Sequence, residues 1–277
     1  MAYTKEISRK NPACFLFAID RSGSMDEQMA GGSVKSEFVA DVLNQTIAEI
    51  IVRCTKSDGV RDYFDIGVIG YGGDHVGSAF GGALSGRALL PISEIESNPL
   101  RIEERELDVE TEDDVLDRQL VKVPVWIDAQ HDGGTPMCEA MRMIAETVAE
   151  WCDAHPSSYP PTVVHVTDGQ STDGDPESIA DAIKGISTSD GEVLMFNLHV
   201  DTDSGDEILF PSSEDELPDE YGKLLFRMSS TFPEHLVPGA QGMGYHVTAD
   251  SRFFAYKAGM DFIGHFFEIG TRASQLR

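Results

Sequence analysis

A chain of 277 residues, 41% of them hydrophobic, is long enough for one large or two small domains and apolar enough to pack a core. Its 48 acidic against 21 basic side chains give a formal charge of −27, which argues against a polyphosphate backbone or an anionic membrane surface as partner and suits cations and basic proteins. No apolar run approaches the roughly 18 residues of a membrane span, and the opening MAYTKEISRK lacks the apolar stretch of a secretory signal, so a cytoplasmic protein is expected.

The first element is Ala13 to Ile19, ACFLFAI, a continuous apolar run closed by Asp20 and followed by Gly and Ser. That is the pattern of a strand buried on both faces of a parallel sheet. Lys35 to Arg53 carries Phe38, Val39, Val42, Leu43, Ile47, Ile50 and Ile51 on one stripe and predicts an amphipathic helix. Tyr63 to Tyr71 predicts the next strand, completing a β-α-β crossover. Residues 72 to 123 break the rhythm, opening Gly-rich and then carrying eleven acidic residues between Glu94 and Asp117. Leu89 to Ile95 and Leu120 to Ile127 are expected there as strands of an elaborated antiparallel hairpin at the sheet edge, since the stretch is too polar for a core of its own. Its acidic run reads as a solvated face or as a docking surface.

The rhythm returns with a helix from Pro136, proline suiting the first helical position, whose stripe is Met137, Met141, Ile144, Ala145, Val148 and Trp151. A strand over Thr162 to Thr167, a helix over Pro176 to Ser187 and a strand over Glu192 to Val200 follow. Residues 201 to 220 read as an acidic surface loop, and Tyr221 to Ser229 and Phe253 to Ile269 as helices, making 201–277 a helical C-terminal extension. Alternating strands and helices predict a three-layer α/β/α, Rossmann-like, doubly wound fold. Its sheet should be mainly parallel with an antiparallel edge strand, in a single domain over 1–277. Cys14, Cys54, Cys138 and Cys152 stand far apart without a C-x-x-C pair and are expected as reduced, packed thiols. His165 and His199, inside apolar strands, are expected as core residues.

In an open parallel sheet ligands bind beyond the carboxyl ends of the strands. After the first strand stand Asp20, Ser22 and Ser24; after the Thr162 strand stands Asp168; before the Pro136 helix stands Thr135, delivered by Gly133-Gly134. Gly23 lets a tight turn aim both serines at one point. These are all hard oxygen donors, suited to Mg²⁺ or Mn²⁺, less well to Ca²⁺, and not to zinc. Neutral hydroxyls leave most of a cation's charge uncancelled, so it stays electrophilic toward an outside carboxylate. Asp20 or Asp168 alone reads equally as a turn cap, and Thr135 as a helix cap. Asp26, Asp74, His75, His131, Asp132, Asp173 and Asp175 fall in the same group of loops and either tune the site or solvate it.

Asp20-x-Ser22-x-Ser24, Thr135 in Gly-Gly-Thr-Pro and Asp168 in Thr-Asp-Gly resemble the metal-ion-dependent adhesion site of von Willebrand factor A-type domains. The resemblance runs from about Pro12 to Val200. It implies that Ser22, Ser24 and Thr135 touch the metal, while Asp20 and Asp168 bind it or hold its waters. GYGG, GGTPM, TDG-STDGDP and LFPSS further resemble a bacterial intracellular branch of these proteins that accompanies kinases and phosphatases, tellurite-resistance systems among them. The function so implied is a non-enzymatic protein-binding module whose metal takes a Glu or Asp from a partner that is basic overall. A metal-dependent hydrolase or phosphoryl-transfer enzyme is the alternative; it finds no G-x-x-x-x-G-K-[ST] loop, Ser22 where a nucleophilic Asp would stand, and no lysine near the site in sequence. A scaffold subunit beside an AAA-type ATPase is a third reading.

Overall fold

The central strand β1 (Ala13–Asp20) is buried along its whole length. Its Phe15, Phe17 and Ile19 enter one apolar cluster and its Cys14, Leu16 and Ala18 another. A strand with both faces covered has no polar side to alternate with, which is why it reads as an unbroken apolar run. The computed structural model describes residues 3–29, 32–110, 116–202 and 207–270. Residues 111–115 of the acidic stretch and 271–277 of the C-terminal stretch lie outside them.

After β1 come α1 (Lys35–Cys54), β2 (Phe64–Gly72), β3 (His75–Ser78), β4 (Leu90–Pro91), α2 (Ile92–Ser97), β5 (Arg101–Glu110) and β6 (Leu116–Val125). Then follow α3 (Met137–Ala154), β7 (Thr162–Thr167), α4 (Glu177–Gly185), β8 (Leu194–Val200), β9 (Ile208–Leu209), α5 (Glu220–Met228), α6 (Val237–Gly242), β10 (Phe254–Ala258) and α7 (Met260–Gly270). The eight-stranded sheet has the order β9-β10-β8-β7-β1-β2-β3, with β4 also on β2. β10, β8, β7, β1 and β2 run parallel, and β9, β3 and β4 pair antiparallel at the margins. Val39, Leu43 and Ile47 of α1, Ile92 and Ile95 of α2, and Phe262, Ile263 and Phe266 of α7 cover one face. Met141, Ile144 and Val148 of α3, Ala180 and Ile183 of α4, and Leu225 of α5 cover the other. The fold is a three-layer α/β/α sandwich around a doubly wound, mainly parallel sheet.

Three expectations are corrected. Phe253 to Ile269 is not one helix: Phe254–Ala258 is a strand parallel to β8, and the helix starts at Met260. A strand buried on both faces lacks alternation and cannot be told from a buried helix by periodicity. The 201–277 stretch therefore supplies β9 and β10 to the sheet rather than only helices. Leu89 to Ile95 is not a strand throughout: Leu90–Pro91 pairs with β2, and the chain turns at Pro91 into α2, burying Ile92 and Ile95. Lastly, the β5–β6 hairpin is a sheet of its own and not the edge of the main one. It leans on α1 through the Arg105–Asp41 ion pair at 2.9 Å and leaves Ile102 and Leu120 exposed on its outer side. All four cysteines are free and buried.

Candidate metal centre

From β1 the sheet grows one way through β2 and the other way through β7, so the strand order reverses between β1 and β7. That reversal opens a crevice at the carboxyl ends of the two strands. Asp20 ends β1, Thr167 ends β7, and Asp168 follows. Ile19 is level with Val166 across the pair. Thr167 Oγ1 accordingly reaches Asp20 Oδ2 and donates to it at 2.7 Å, while the Ser22 amide donates to Oδ1 at 2.8 Å.

Backbone hydrogen bonds stitch the surrounding loops together. The Arg21 amide donates to Tyr71 O at 2.7 Å, the Asp132 amide to Arg21 O at 2.7 Å and the Gly23 amide to Gly133 O at 2.9 Å. The Gly73 amide donates to Gly134 O at 2.9 Å. Gly133 has φ +55°, and a Cβ there would stand 2.6 Å from Gly73 Cα. Only glycine fits both the left-handed backbone and the close approach. The stitching carries Thr135 under the first loop, where it is 5% exposed.

Of the hydroxyls and carboxylates expected to converge, Ser22, Ser24 and Asp168 touch side chain to side chain, and Asp20 is tied to the same loop through the Ser22 amide. Ser22 Oγ lies 3.1 Å from Ser24 Oγ, which donates to Asp168 Oδ1 at 2.7 Å. Ser24 Oγ and Thr135 Oγ1 stand 3.8 and 3.9 Å from the point where a Cβ on Gly169 would lie, so both hydroxyls border that position. Neighbouring ligands in a Mg²⁺ octahedron with bonds of 2.0–2.1 Å sit about 3.0 Å apart. The serine–serine and serine–aspartate spacings are those of hydrogen bonds, of the same order as that edge, and the donors are all oxygen, so the chemistry of these residues fits a hard divalent cation. Among the described residues no group of three or more His, Cys, Asp and Glu suits a metal ion. Here two carboxylates, Asp20 and Asp168, stand with hydroxyl groups as the remaining oxygen donors.

Burial pushes the Asp20 carboxyl up to about 6, against the hydrogen bonds from Ser22 and Thr167 that favour its charge. Arg21 is drawn down to about 10 by burial, with Asp128 opposing. Its guanidinium points away from the crevice, donating to Gln130 Oε1 at 2.7 Å and to Asp128 O at 3.2 Å.

The most consequential side chain at the centre is one that sequence reasoning missed. Lys35, the first residue of α1, is 3% exposed and places Nζ 2.9 Å from Asp168 Oδ2 and 2.8 Å from Glu27 Oε2. The argument from the lack of a lysine near the site in sequence does not carry over to space: Lys35 lies 133 residues from Asp168 in sequence and meets it through the fold. Burial lowers the pKa of its ammonium, and the hydrogen bonds to Glu27 and Asp168 outweigh that, so the net direction is upward.

Several loop residues have structural roles. Asp173 accepts from the Cys138 and Glu139 amides, both at 2.9 Å, and so caps α3, which starts at Met137. The N-cap position itself is held by Pro136, which offers no capping side chain. Asp175 accepts from the Glu177 amide at 3.0 Å. His131 pairs with Asp26 at 3.2 Å on the rim, Asp132 approaches Gly73, and Asp74 and His75 are exposed at the β2–β3 turn. His165 is fully buried and His199 is 6% exposed, as expected of core residues.

No family model matches this chain, and no curated protein matches it. Among solved structures it is similar to the pilus adhesin SpaC from Lactobacillus rhamnosus GG, with 12% identity over 93% of this chain and 30% of that one, TM-score 0.47. It is also similar to the vWF domain of the type V pili tip protein Mfa5 from Porphyromonas gingivalis, with 9% identity over 96% and 98% of the two chains, TM-score 0.44. Manganese-loaded TRAP protein from Plasmodium vivax gives 11% identity over 96% and 75%, TM-score 0.41. The chain spans under a third of SpaC. At such identities and scores, what the site does rests on this chain's own residues. Among those described, no helix is long and apolar enough to cross a membrane.

Proposed function

We propose that the chain is a metal-dependent protein-binding module of the von Willebrand factor A type, in which Asp20, Ser22, Ser24, Thr135 and Asp168 hold Mg²⁺ or Mn²⁺. The observation that carries this reading is the contact chain of oxygen donors, Ser22 Oγ to Ser24 Oγ to Asp168 Oδ1, at the point where the strand order reverses. The cation supplies a point of positive charge with a position open to an outside oxygen. The chain's part is to hold that point still. Thr167 and the Ser22 amide orient the Asp20 carboxylate, the stitched loops present the hydroxyls, and the exposed Ser24 marks the side open to solvent.

The ligand proposed for the open position is a Glu or Asp on a protruding loop of a partner. With −27 on this chain, a partner that is basic overall is drawn in at long range while its single carboxylate reaches the metal. A bacterial kinase, phosphatase or ATPase assembly is the setting that the sequence resemblance suggests.

One observation favours the phosphoryl-transfer alternative, namely the lysine at the site. Lys35 is, however, clamped between two carboxylates, and Ser22 stands where a nucleophilic aspartate is needed. Hydrolysis of phosphoesters by the purified protein, abolished by Asp20→Asn, would establish that alternative. The binding-module reading is tested by titrating Mg²⁺ or Mn²⁺ and following the melt. A tenfold excess over Kd adds about 1.4 kcal/mol of stability, and a melt unchanged across millimolar metal refutes the reading.

A further inference from the structure

Lys35 has no place in the metal-binding set, yet it is among the most buried charged groups at the centre. Its Nζ touches Asp168 Oδ2, and the Asp168 side chain is fully buried beneath it. The other oxygen of that carboxylate is taken by Ser24 Oγ. Among the described residues no buried side-chain nitrogen or oxygen lacks a hydrogen-bond partner. Both oxygens of the Asp168 carboxylate thus have partners within the chain, and one of those partners is a cation.

Resting on the metal reading above, we infer that Lys35 is the positioning residue that sets the charge of the centre: its ammonium competes with a divalent cation for Asp168. With Glu27 left out of the count, because at 60% exposure its charge is screened by water, the two carboxylates of the set and the ammonium leave a single net negative charge at the centre. A divalent cation placed there leaves a single net positive charge, which an anionic group from outside closes. Without the ammonium the two carboxylates alone would neutralise the cation, and the demand for an outside carboxylate would fall. Lys35 therefore gives up metal affinity and makes the loaded centre select an acidic ligand. Glu27, 60% exposed, tempers the ammonium from the solvent side. Like charges repel most strongly where water is excluded, and the Lys35 side chain is 3% exposed.

The test uses the full chain freed of metal by chelation, with Mn²⁺ alone as the probe, followed by calorimetric titration and thermal melting. Lys35→Met and Lys35→Gln are expected to bind Mn²⁺ at least tenfold more tightly than the unaltered protein. Both should melt lower without metal, because Asp168 loses its counter-charge, and regain most of the difference when Mn²⁺ is added. Lys35→Arg, which keeps the charge, should stay within threefold of the unaltered affinity. Glu27→Gln, at a surface position where folding is not at stake, should bind two- to threefold more weakly. A purely structural lysine predicts the same fall in melting temperature with unchanged or weaker Mn²⁺ binding, and that result overturns the inference while leaving the metal reading intact. Should neither Lys35 variant fold, unchanged Mn²⁺ affinity in Glu27→Gln overturns it and the weaker binding supports it. No Mn²⁺ uptake by any form, the unaltered protein included, overturns the metal reading and this inference with it.

Discussion

Acidification from about pH 7 to about pH 4 should expose a buried imidazole on β7, two residues before Thr167. His165 Nε2 is 2.5 Å from the Tyr71 hydroxyl and Nδ1 is 2.8 Å from Asn197 Oδ1. The polarity of this chain is fixed at its far end. Ser229 Oγ donates to Leu225 O at 2.7 Å and so must accept from Asn197 Nδ2 at 2.9 Å. Asn197 Oδ1 therefore faces His165 and Nδ1 carries a proton; with burial keeping the ring neutral, Nε2 accepts from the Tyr71 hydroxyl. Burial holds its pKa down at about 4, with the Asn197 bond opposing. Because the folded value lies below the unfolded one of about 6.5, the associated stability is present above pH 6.5 and is lost as the pH falls toward 4. The gap amounts to about 3 kcal/mol at pH 4. Asp20, raised to about 6, works the other way, its contribution being present at low pH and lost as the pH rises through 6. The comparison must therefore be a difference. Urea unfolding of the unaltered chain and of His165→Gln, in chelator, should give a stability difference that shifts by about 3 kcal/mol against the unaltered chain between pH 7 and pH 4. Asp20 is common to both and cancels. The level of the variant will fall at every pH through lost hydrogen bonds, so the slope carries the test. Parallel curves would refute a neutral buried His165.

Asp173→Ala removes the acceptor from the Cys138 and Glu139 amides and should cost about 1 kcal/mol in thermal or urea unfolding. Gly133→Ala forces a Cβ to within 2.6 Å of Gly73 Cα at φ +55°; a loss of about 1–3 kcal/mol and weaker Mn²⁺ binding are expected by unfolding and calorimetry. Asn44→Leu strips the acceptor from the buried Trp126 and Ile127 amides, held at 2.8 and 3.1 Å, and should cost about 2–4 kcal/mol in unfolding with no direct effect on the centre.

The parts of the centre that were legible lie within a few residues of each other or at the ends of clear elements. Asp20, Ser22 and Ser24 share one loop, Thr135 precedes an amphipathic helix, and Asp168 closes an apolar strand. Lys35 was illegible because a lysine in the first turn of a helix has the same pattern whether it faces water or a carboxylate; only the packing of α1 beside the β7 end decides it. The capping of α3 by Asp173, 35 residues away, was hidden for the same reason. β10 escaped because Phe253, Phe254, Ala255 and Tyr256 are all buried, and burial on both faces erases the period that separates strand from helix. α2 escaped because two isoleucines three apart, after a proline, fit a short strand as well as one helical turn.

The most direct test of the metal centre is a crystal soaked in Mn²⁺ and measured for anomalous scattering. The account predicts one strong peak within bonding distance of Ser22 Oγ, Ser24 Oγ and Thr135 Oγ1, beside Asp20 and Asp168, and its disappearance in a Ser22→Ala, Ser24→Ala, Thr135→Ala triple variant. A fully soaked crystal with no peak there, or with its peak on the acidic face of the β5–β6 hairpin instead, would contradict it.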